Sequence, residues 1–340
     1  MNNAPSRLLI TPLNWGLGHA TRCIPIIQDY LQKGWEVNIA GDGDSLELLK
    51  KEFPTLTYFP LPGYDINYRF NNMYFNILFQ MPKIVIAALK ENFAVREIVR
   101  TQQIDLLISD NRFGCFSKSV KSIFITHQVN ILVGFKPLQR LVNFFNHWVI
   151  KRFDECWIPD LPPNRLGGKL SDNSALPNSR YIGLLSRMKK LNTPVVWDLV
   201  VVLSGPEPQR SKFENLVLKQ LAELSLKSVV VQGKPGKKIH RSIDENTRLI
   251  SYATSAELNE IMCASRMILC RSGYSSLMDL AALGKKAILV PTPGQTEQEY
   301  LANHLSEQGI FYFQQQKHFN LSEALVKGQN FSGLETGQIK

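Results

Sequence analysis

A chain of 340 residues with 44% hydrophobic and 20% charged residues has room for two folded domains, and its composition excludes a disordered or fibrous protein. Its 39 Lys and Arg against 29 Asp and Glu leave a net charge of +10, which points to an anionic partner. The basic residues are dispersed and no zinc-finger, homeodomain or RNP-like motif occurs, so nucleic acid is not the expected partner.

In chain order, residues 7–11 (RLLIT) predict a first strand, then a glycine-bearing loop, then a helix over about 20–33 that Gly34 stops. Residues 35–40 predict a second strand, 45–53 a helix and 57–60 a third strand. Residues 64–90 are mixed apolar and basic. They could rest on a membrane; the competing reading is a buried helix with a loop, broken at Pro82. With Asn76, Gln80, Pro82 and Lys83 inside it, the stretch 73–89 is not expected to span a bilayer. A helix over 83–102 and strands at 105–109 and 122–126 follow. Residues 158–194 are punctuated by Pro and Gly, with a strand signal at 180–182, and mark a domain boundary. The alternation then restarts, with strands at 199–203, 228–232, 248–251, 267–270 and 287–290. Helices are predicted over 212–224, 254–264, 275–283 and 298–308. Strand–helix alternation of this kind builds a parallel sheet covered on both faces, here twice, in domains 1–186 and 187–340. Five cysteines with no C-x-x-C pair read as reduced and buried in a cytoplasmic protein, and residues 1–12 lack a signal-peptide pattern.

Three loops carry the candidate chemistry. The first is Asn14-Trp15-Gly16-Leu17-Gly18-His19, where Gly16 and Gly18 let backbone approach a ligand and His19 could serve as a general base. It is not a full dinucleotide fingerprint, because Thr21 stands at the third glycine position and no acidic residue ends the second strand; no dinucleotide cofactor is expected. The second is Ser204-Gly205-Pro206, a strand–turn–helix start able to cradle a diphosphate. The third is Arg271-Ser272-Gly273, opening a small-residue helix that carries Asp279, whose carboxylate can accept two ribose hydroxyls. After the next strand comes a polar run that includes Gln298 and Glu299, suited to sugar hydroxyls. In the N-terminal half, Asp110, Arg112 and His127 end strands on the presumed ligand side, and Arg112 and Arg271 are candidates to balance phosphate charge. Asp42-Gly43-Asp44 reads as a helix cap rather than a metal-binding pair, and no other cluster has metal-ligand spacing. His147 and Trp148 lie in an apolar, helix-like run and read as packing or surface residues.

Over about 200–313 these motifs resemble the family 28 glycosyltransferases, which include the MurG-type enzymes. The resemblance is carried by Arg271-Ser272-Gly273, Asp279, Gly284 and the run from Pro291 to Tyr300. The N-terminal half is similar through Gly16-Leu17-Gly18-His19 and Thr126-His127-Gln128. The resemblance implies a GT-B fold, two Rossmann-like doubly wound parallel-sheet domains facing a central cleft, with the donor bound mainly by the second. It further implies that Asp279 holds the donor ribose, that Ser272 and Gly273 lie by the diphosphate, and that Gln298 and Glu299 contact the donor sugar. By the same resemblance the backbone at Tyr252 reads the base, while His19 and His127 belong to the catalytic, acceptor-facing side with Gly16, Gly18, Asp110 and Arg112. The sequence departs from MurG in its Gly-Leu-Gly-His loop, in Gln128 after the second histidine and in Glu299 after Gln298. The resemblance therefore does not fix the donor sugar and acceptor as MurG's.

The resulting expectation is an inverting, metal-independent sugar transferase without a cofactor. It would use a UDP-sugar and a hydroxyl acceptor, lipid or glycan. It would be cytoplasmic, and peripheral on the inner face of the membrane if residues 64–90 meet lipid. The alternatives are a nucleotide-sugar hydrolase on the same fold, a 2-epimerase, or a non-catalytic nucleotide-sugar-binding protein.

Overall fold

The computed structural model describes residues 5–64, 73–162, 165–234 and 239–334, and of residues 73–81 the backbone. The chain divides into two compact units, Met1–Leu185 and Ser186–Lys340.

In the first unit the elements run β1 (Arg7–Pro12), α1 (Leu17–Gln32), β2 (Glu36–Gly41), α2 (Gly43–Glu52), β3 (Thr57–Pro60) and α3 (Met73–Thr101). They continue with β4 (Leu106–Asp110), β5 (Lys121–Ile125), α4 (Lys136–Ile150), β6 (Glu155–Ile158) and β7 (Ser179–Tyr181). The strands pair in the order β3-β2-β1-β4-β5-β6-β7, all parallel. Alternate residues of one strand reach opposite faces, and both faces are covered. Leu8 and Ile10 join Ile24, Ile27 and Ile39 on one side, whereas Leu9 joins Val95, Val99 and Leu107 on the other.

The second unit runs β8 (Trp197–Val202), α5 (Gln209–Leu221), β9 (Ser228–Val231), β10 (His240–Ser242), β11 (Thr247–Ile250) and α6 (Ser255–Cys263). It continues with β12 (Ser265–Cys270), α7 (Tyr274–Leu283), β13 (Ala287–Leu289), α8 (Thr296–Glu307), β14 (Tyr312–Phe313) and α9 (Leu321–Gly328). The sheet order is β10-β11-β9-β8-β12-β13-β14, with only β10 antiparallel among the described pairs. Leu199, Val201 and Leu203 pack on Phe213 and Val217 of α5.

In each unit the strand order reverses next to the first strand, between β1 and β4 and between β8 and β12. Such reversals open a crevice at the carboxyl ends of the strands, where α/β folds take ligands. His19 and Asp110 follow β1 and end β4, and Ser204–Gly205 and Ser272–Gly273 follow β8 and β12.

The structure departs from the sequence reading in several elements. The first helix starts at Leu17, so Gly18 and His19 lie in its first turn. The helix expected from 83 begins at Met73, so the part of the 64–90 membrane segment at 65–72 lies outside the described residues, as do the side chains of 73–81. No described helix is long and apolar enough to cross a membrane. The helix α4 was not expected, and neither was α9, although Asn320 caps it by accepting the Glu323 N–H at 2.9 Å, a start signal present in the sequence. All five cysteines are free and buried.

Candidate functional site

The N-terminal site gathers around a buried arginine. Gly16, at φ 90°, turns the chain from β1 into α1 in a conformation that side-chain-bearing residues rarely adopt. His19 then lies one turn before Arg22 on the same helix face. Arg22 is 2% exposed and forms a two-point ion pair with Asp110 through Nε and an Nη nitrogen. The same carboxylate reaches His19, with Asp110 Oδ1 2.7 Å from Nδ1. The other Arg22 Nη nitrogen lies 3.2 Å from His127 Nδ1. One guanidinium thus ties α1 to the ends of β4 and β5.

Burial alone would push the Asp110 carboxyl up, but Arg22 and His19 outweigh it and hold the group down at about 2. Asp110 is therefore an anion at neutral pH. Burial, with Arg22 beside it, lowers the His19 pKa against the opposing pull of Asp110, so the ring is neutral at pH 7. In the tautomer that donates Nδ1–H to Asp110, Nε2 keeps its lone pair and can accept a proton.

Arg112 does not join this group, and its expected role in balancing ligand charge is corrected. It is fully buried and ion-paired with Glu91 and, at 2.6 Å, with Asp42. It also donates to the carbonyls of Pro12 (3.2 Å) and Pro62 (2.7 Å). Its charge is neutralised inside the fold, where it braces the loops after β1 and β3. Asp42 is likewise not the side-chain cap expected for α2: its carboxylate binds Arg112 and Asn14, and it is Asn14 Oδ1 that accepts the Ser45 N–H at 3.2 Å. Among the described residues no group of His, Cys, Asp and Glu has the makings of a metal site.

In the C-terminal unit, the turn after β8 is exposed at Ser204 and takes Gly205 to φ 100°, bringing it against Thr292 beyond β13. Thr292 is buried and its hydroxyl has no hydrogen-bond partner among the described residues. An orphaned hydroxyl at the mouth of the crevice is suited to a polar ligand. The N-cap of α7 is Gly273, which has no side chain, whereas the Glu207 carboxylate accepts the Ser211 N–H at 3.2 Å at the start of α5. Ser272 is buried and its hydroxyl donates to the Gln298 carbonyl at 2.8 Å, joining the α7 and α8 loops. The Gln298 amide accepts the Thr292 N–H at 2.9 Å, and Glu299 accepts that of Gly294 at 3.2 Å. Both side chains thereby shape the turn before α8. Tyr252 is half-buried on the turn between β11 and α6.

Arg271 also departs from expectation. It is fully buried over the Phe213 ring and donates to the carbonyls of Val290 (3.0 Å), Pro291 (3.2 Å) and Gln209 (3.1 Å) and to the Gln316 side chain (2.7 Å). It pins the α5 start, the β13 end and the β14 loop together, so it shapes the crevice instead of presenting its charge there. Burial pulls its pKa down to about 10, which still leaves it protonated at pH 7. Asp279, one to two turns into α7, accepts the Ser186 hydroxyl at 2.6 Å. Desolvation raises its carboxyl to about 6 against the opposing effects of Arg187 and Ser186.

The residues that sequence reasoning passed over are Arg22, Thr292 and Ser186. Arg22 carried a signal, its spacing of three from His19 on a helix. Ser186 carried none, because its partner Asp279 lies 93 residues away.

With this geometry in view, residues 199–333 match the glycosyltransferase family 28 C-terminal domain. The UDP-N-acetylglucosamine–N-acetylmuramyl-(pentapeptide) pyrophosphoryl-undecaprenol N-acetylglucosamine transferase of Actinobacillus pleuropneumoniae is 21% identical over 316 residues, covering 89% of this chain and 83% of that protein. The enzyme of the same name from Pasteurella multocida is 22% identical over 331 residues, covering 91% and 84%. Among solved structures, the glycosyltransferase of kitacinnamycin superposes with a TM-score of 0.68 at 13% identity, covering 98% of this chain and 94% of that one. MurG of Acinetobacter baumannii gives 0.56 at 13% identity, with 98% of each chain covered. The fold is GT-B, and the class is that of the glycosyltransferases. Within that class, residues 199–333 carry the family 28 C-terminal domain, and most of the chain is similar to the MurG-type enzymes.

Proposed function

We propose that this chain moves a sugar from a UDP-linked donor to a hydroxyl of a lipid-linked acceptor, with inversion at the anomeric carbon. The observation that carries the chemistry is His19, neutral and oriented by the ionised Asp110. As the acceptor oxygen attacks the anomeric carbon, the bond from that carbon to the diphosphate breaks and the acceptor proton passes to His19 Nε2. His127 lies across Arg22 from His19 and lines the acceptor side. UDP leaves with its charge met by backbone N–H groups at the starts of α5 and α7, beside Ser204, Gly205, Ser272 and Gly273. Asp279 takes the ribose hydroxyls, the backbone at Tyr252 the base, and Gln298 and Glu299 the sugar. The UDP and lipid-linked parts of this reading draw on the names of the relatives, which specify UDP-N-acetylglucosamine and a pyrophosphoryl-undecaprenol acceptor.

The helix α4 supports a lipid-linked acceptor independently. Its polar residues face inward: Gln139 and Asn143 accept the N–H groups of Val133 and Ile131, and Asn146 donates to the carbonyls of Gln128 and Val129. These contacts hold the loop that follows His127. Its large apolar residues face outward, with Leu141, Phe144, Phe145 and Trp148 exposed, Phe144 at 65%. Lys136, Arg140, Lys151 and Arg152 flank them, Arg152 lies 3.6 Å over the Trp148 ring, and no acidic residue occurs from 136 to 153. Val85, Ile86, Leu89 and Phe93 of α3 are exposed as well. Aromatic and aliphatic groups ringed by cations suit an anionic bilayer surface, where a lipid-linked acceptor resides.

The test is incubation of the protein with UDP-N-acetylglucosamine and a polyprenyl-diphosphate-sugar acceptor, with the anomeric configuration of the product read by NMR. Inversion is the expected result. Retention, or donor breakdown that proceeds equally without acceptor, would overturn the reading.

A further inference from the structure

The chain enters the C-terminal unit at Ser186 and is immediately fastened to it. Ser186 Oγ accepts the Met188 N–H at 3.0 Å, so its own proton is directed to Asp279 Oδ1 at 2.6 Å. Arg187 donates to Ser255 at 2.9 Å. Lys189 exchanges two hydrogen bonds with the Asn259 side chain, at 2.8 and 3.0 Å, and Met188 is 3% exposed. The segment 186–189 is thus strapped onto α6 and the ribose-side carboxylate of α7.

A carboxylate offers about four acceptor lobes. Among the described residues, one hydrogen bond to Asp279 is made, and Ser186 makes it. The remaining surroundings give this group little support. Val202, Leu258, Met262 and Leu280 line the small cavity beside it. Of the titratable groups facing it, Arg187 on the strap favours the anion, and Cys270 on β12 is kept neutral by burial, which pushes its thiol to about 12. The elements α6 and β8 contribute apolar side chains. The Asp279 anion is therefore supported by the charge of Arg187 and by the hydroxyl of Ser186, and of the two only Ser186 hydrogen-bonds it and fixes its orientation.

We propose that Ser186 is a positioning residue for donor binding: its hydroxyl keeps the Asp279 carboxylate ionised and fixed in one orientation, leaving the other acceptor lobes to a ribose diol. The inference rests on the reading of Asp279 as the ribose contact. It gives the first residue of the strap a role in ligand affinity that a plain linker would not have.

The experiment is equilibrium titration with UDP-N-acetylglucosamine, whose diphosphate diester does not titrate near neutrality, from about pH 5 to about pH 8. Wild-type affinity is expected to fall about tenfold per pH unit below the Asp279 pKa of about 6. In Ser186→Ala the onset of that fall should move up by about one pH unit, because the anion loses its hydrogen bond. Ser186→Thr, which keeps the hydroxyl, should restore the wild-type onset. Circular dichroism melting of each variant verifies folding. A Ser186→Ala profile that superimposes on wild type, while Asp279→Asn binds poorly, overturns this proposal alone. An Asp279→Asn variant that binds as wild type at every pH overturns the ribose reading and this proposal with it.

Discussion

At the scale of single residues, one carboxylate serves two partners. Asp110 neutralises the buried Arg22 and orients His19, so its effects on stability and on catalysis are coupled. His19→Ala should slow transfer by about 10²–10⁴-fold, the span of one general base, and leave nucleotide binding intact in a calorimetric titration. Asp110→Asn should slow transfer too, and should also lower the unfolding free energy by about 3–5 kcal/mol in urea, because it strands a buried guanidinium. The acid response follows from the same group. Its folded pKa of about 2 lies below the ordinary 3.8 of a free aspartate, so its stabilisation is complete above about pH 4 and is lost as pH falls toward 2. Asp279 has the opposite sign. Its folded pKa of about 6 lies above 3.8, so the folded state binds the proton more tightly and stability declines as pH rises through that interval. Asp279→Asn is therefore expected to melt higher than wild type at pH 7 without ligand and to lose the stabilisation that UDP confers. A variant that melts lower would refute the desolvation argument.

At the scale of elements, α4 is built in reverse. Its polar side chains bind a backbone loop that lacks regular partners, and of its apolar side chains Leu141, Phe144, Phe145 and Trp148 meet solvent while Val149 and Ile150 at its end pack on the core. A stable surface helix ordinarily buries its apolar stripe, and here the packing energy comes from five or so side-chain-to-backbone hydrogen bonds instead, each contributing about 1 kcal/mol. Replacing Phe144 and Trp148 together by Ser should weaken sedimentation with phosphatidylglycerol vesicles at least tenfold and leave the melting temperature nearly unchanged. Arg140→Glu should weaken it at low salt more than at high salt, since the electrostatic part is screened. Unchanged vesicle binding in both variants would remove the membrane role of this face. The reversal also explains why α4 escaped the sequence reading: an apolar, helix-like run was visible around His147 and Trp148, but which side faced the core was not.

At the scale of the whole molecule, the two units share one order of parallel strands around the reversal, with antiparallel β10 added at the edge of the second, and carry different residues near that reversal. The first presents a histidine and carboxylate, the second glycine turns, an orphaned threonine hydroxyl and the Asp279 carboxylate. UDP at about 100 times its dissociation constant should stabilise the protein by about 2.7 kcal/mol, raising the melting midpoint by a few degrees. The same shift should persist in excess chelator if backbone N–H groups meet the diphosphate charge. No shift with UDP, in a protein that still melts cooperatively, would count against a donor site in the second unit.

Sequence alone determined the two-fold strand–helix alternation, the glycine turns after β1 and β8 and the helix start at Gly273. These are local: periodicity, turn chemistry and the burial of parallel strands act within a few residues. It also placed His19, Asp110, His127 and Asp279 at strand ends and in the helix that follows, because open parallel sheets put their chemistry there. What the tertiary structure decided was which charges face a ligand and which are consumed inside the fold. Arg112 and Arg271 looked like phosphate partners, yet Arg112 is neutralised by Asp42 and Glu91 and Arg271 spends both terminal nitrogens on four protein oxygens. Arg22 and Ser186 looked like nothing, and each meets a carboxylate separated from it by 88 and 93 residues. A side chain's charge is written in the sequence, but the sign of its surroundings comes from partners that only folding brings within hydrogen-bond distance.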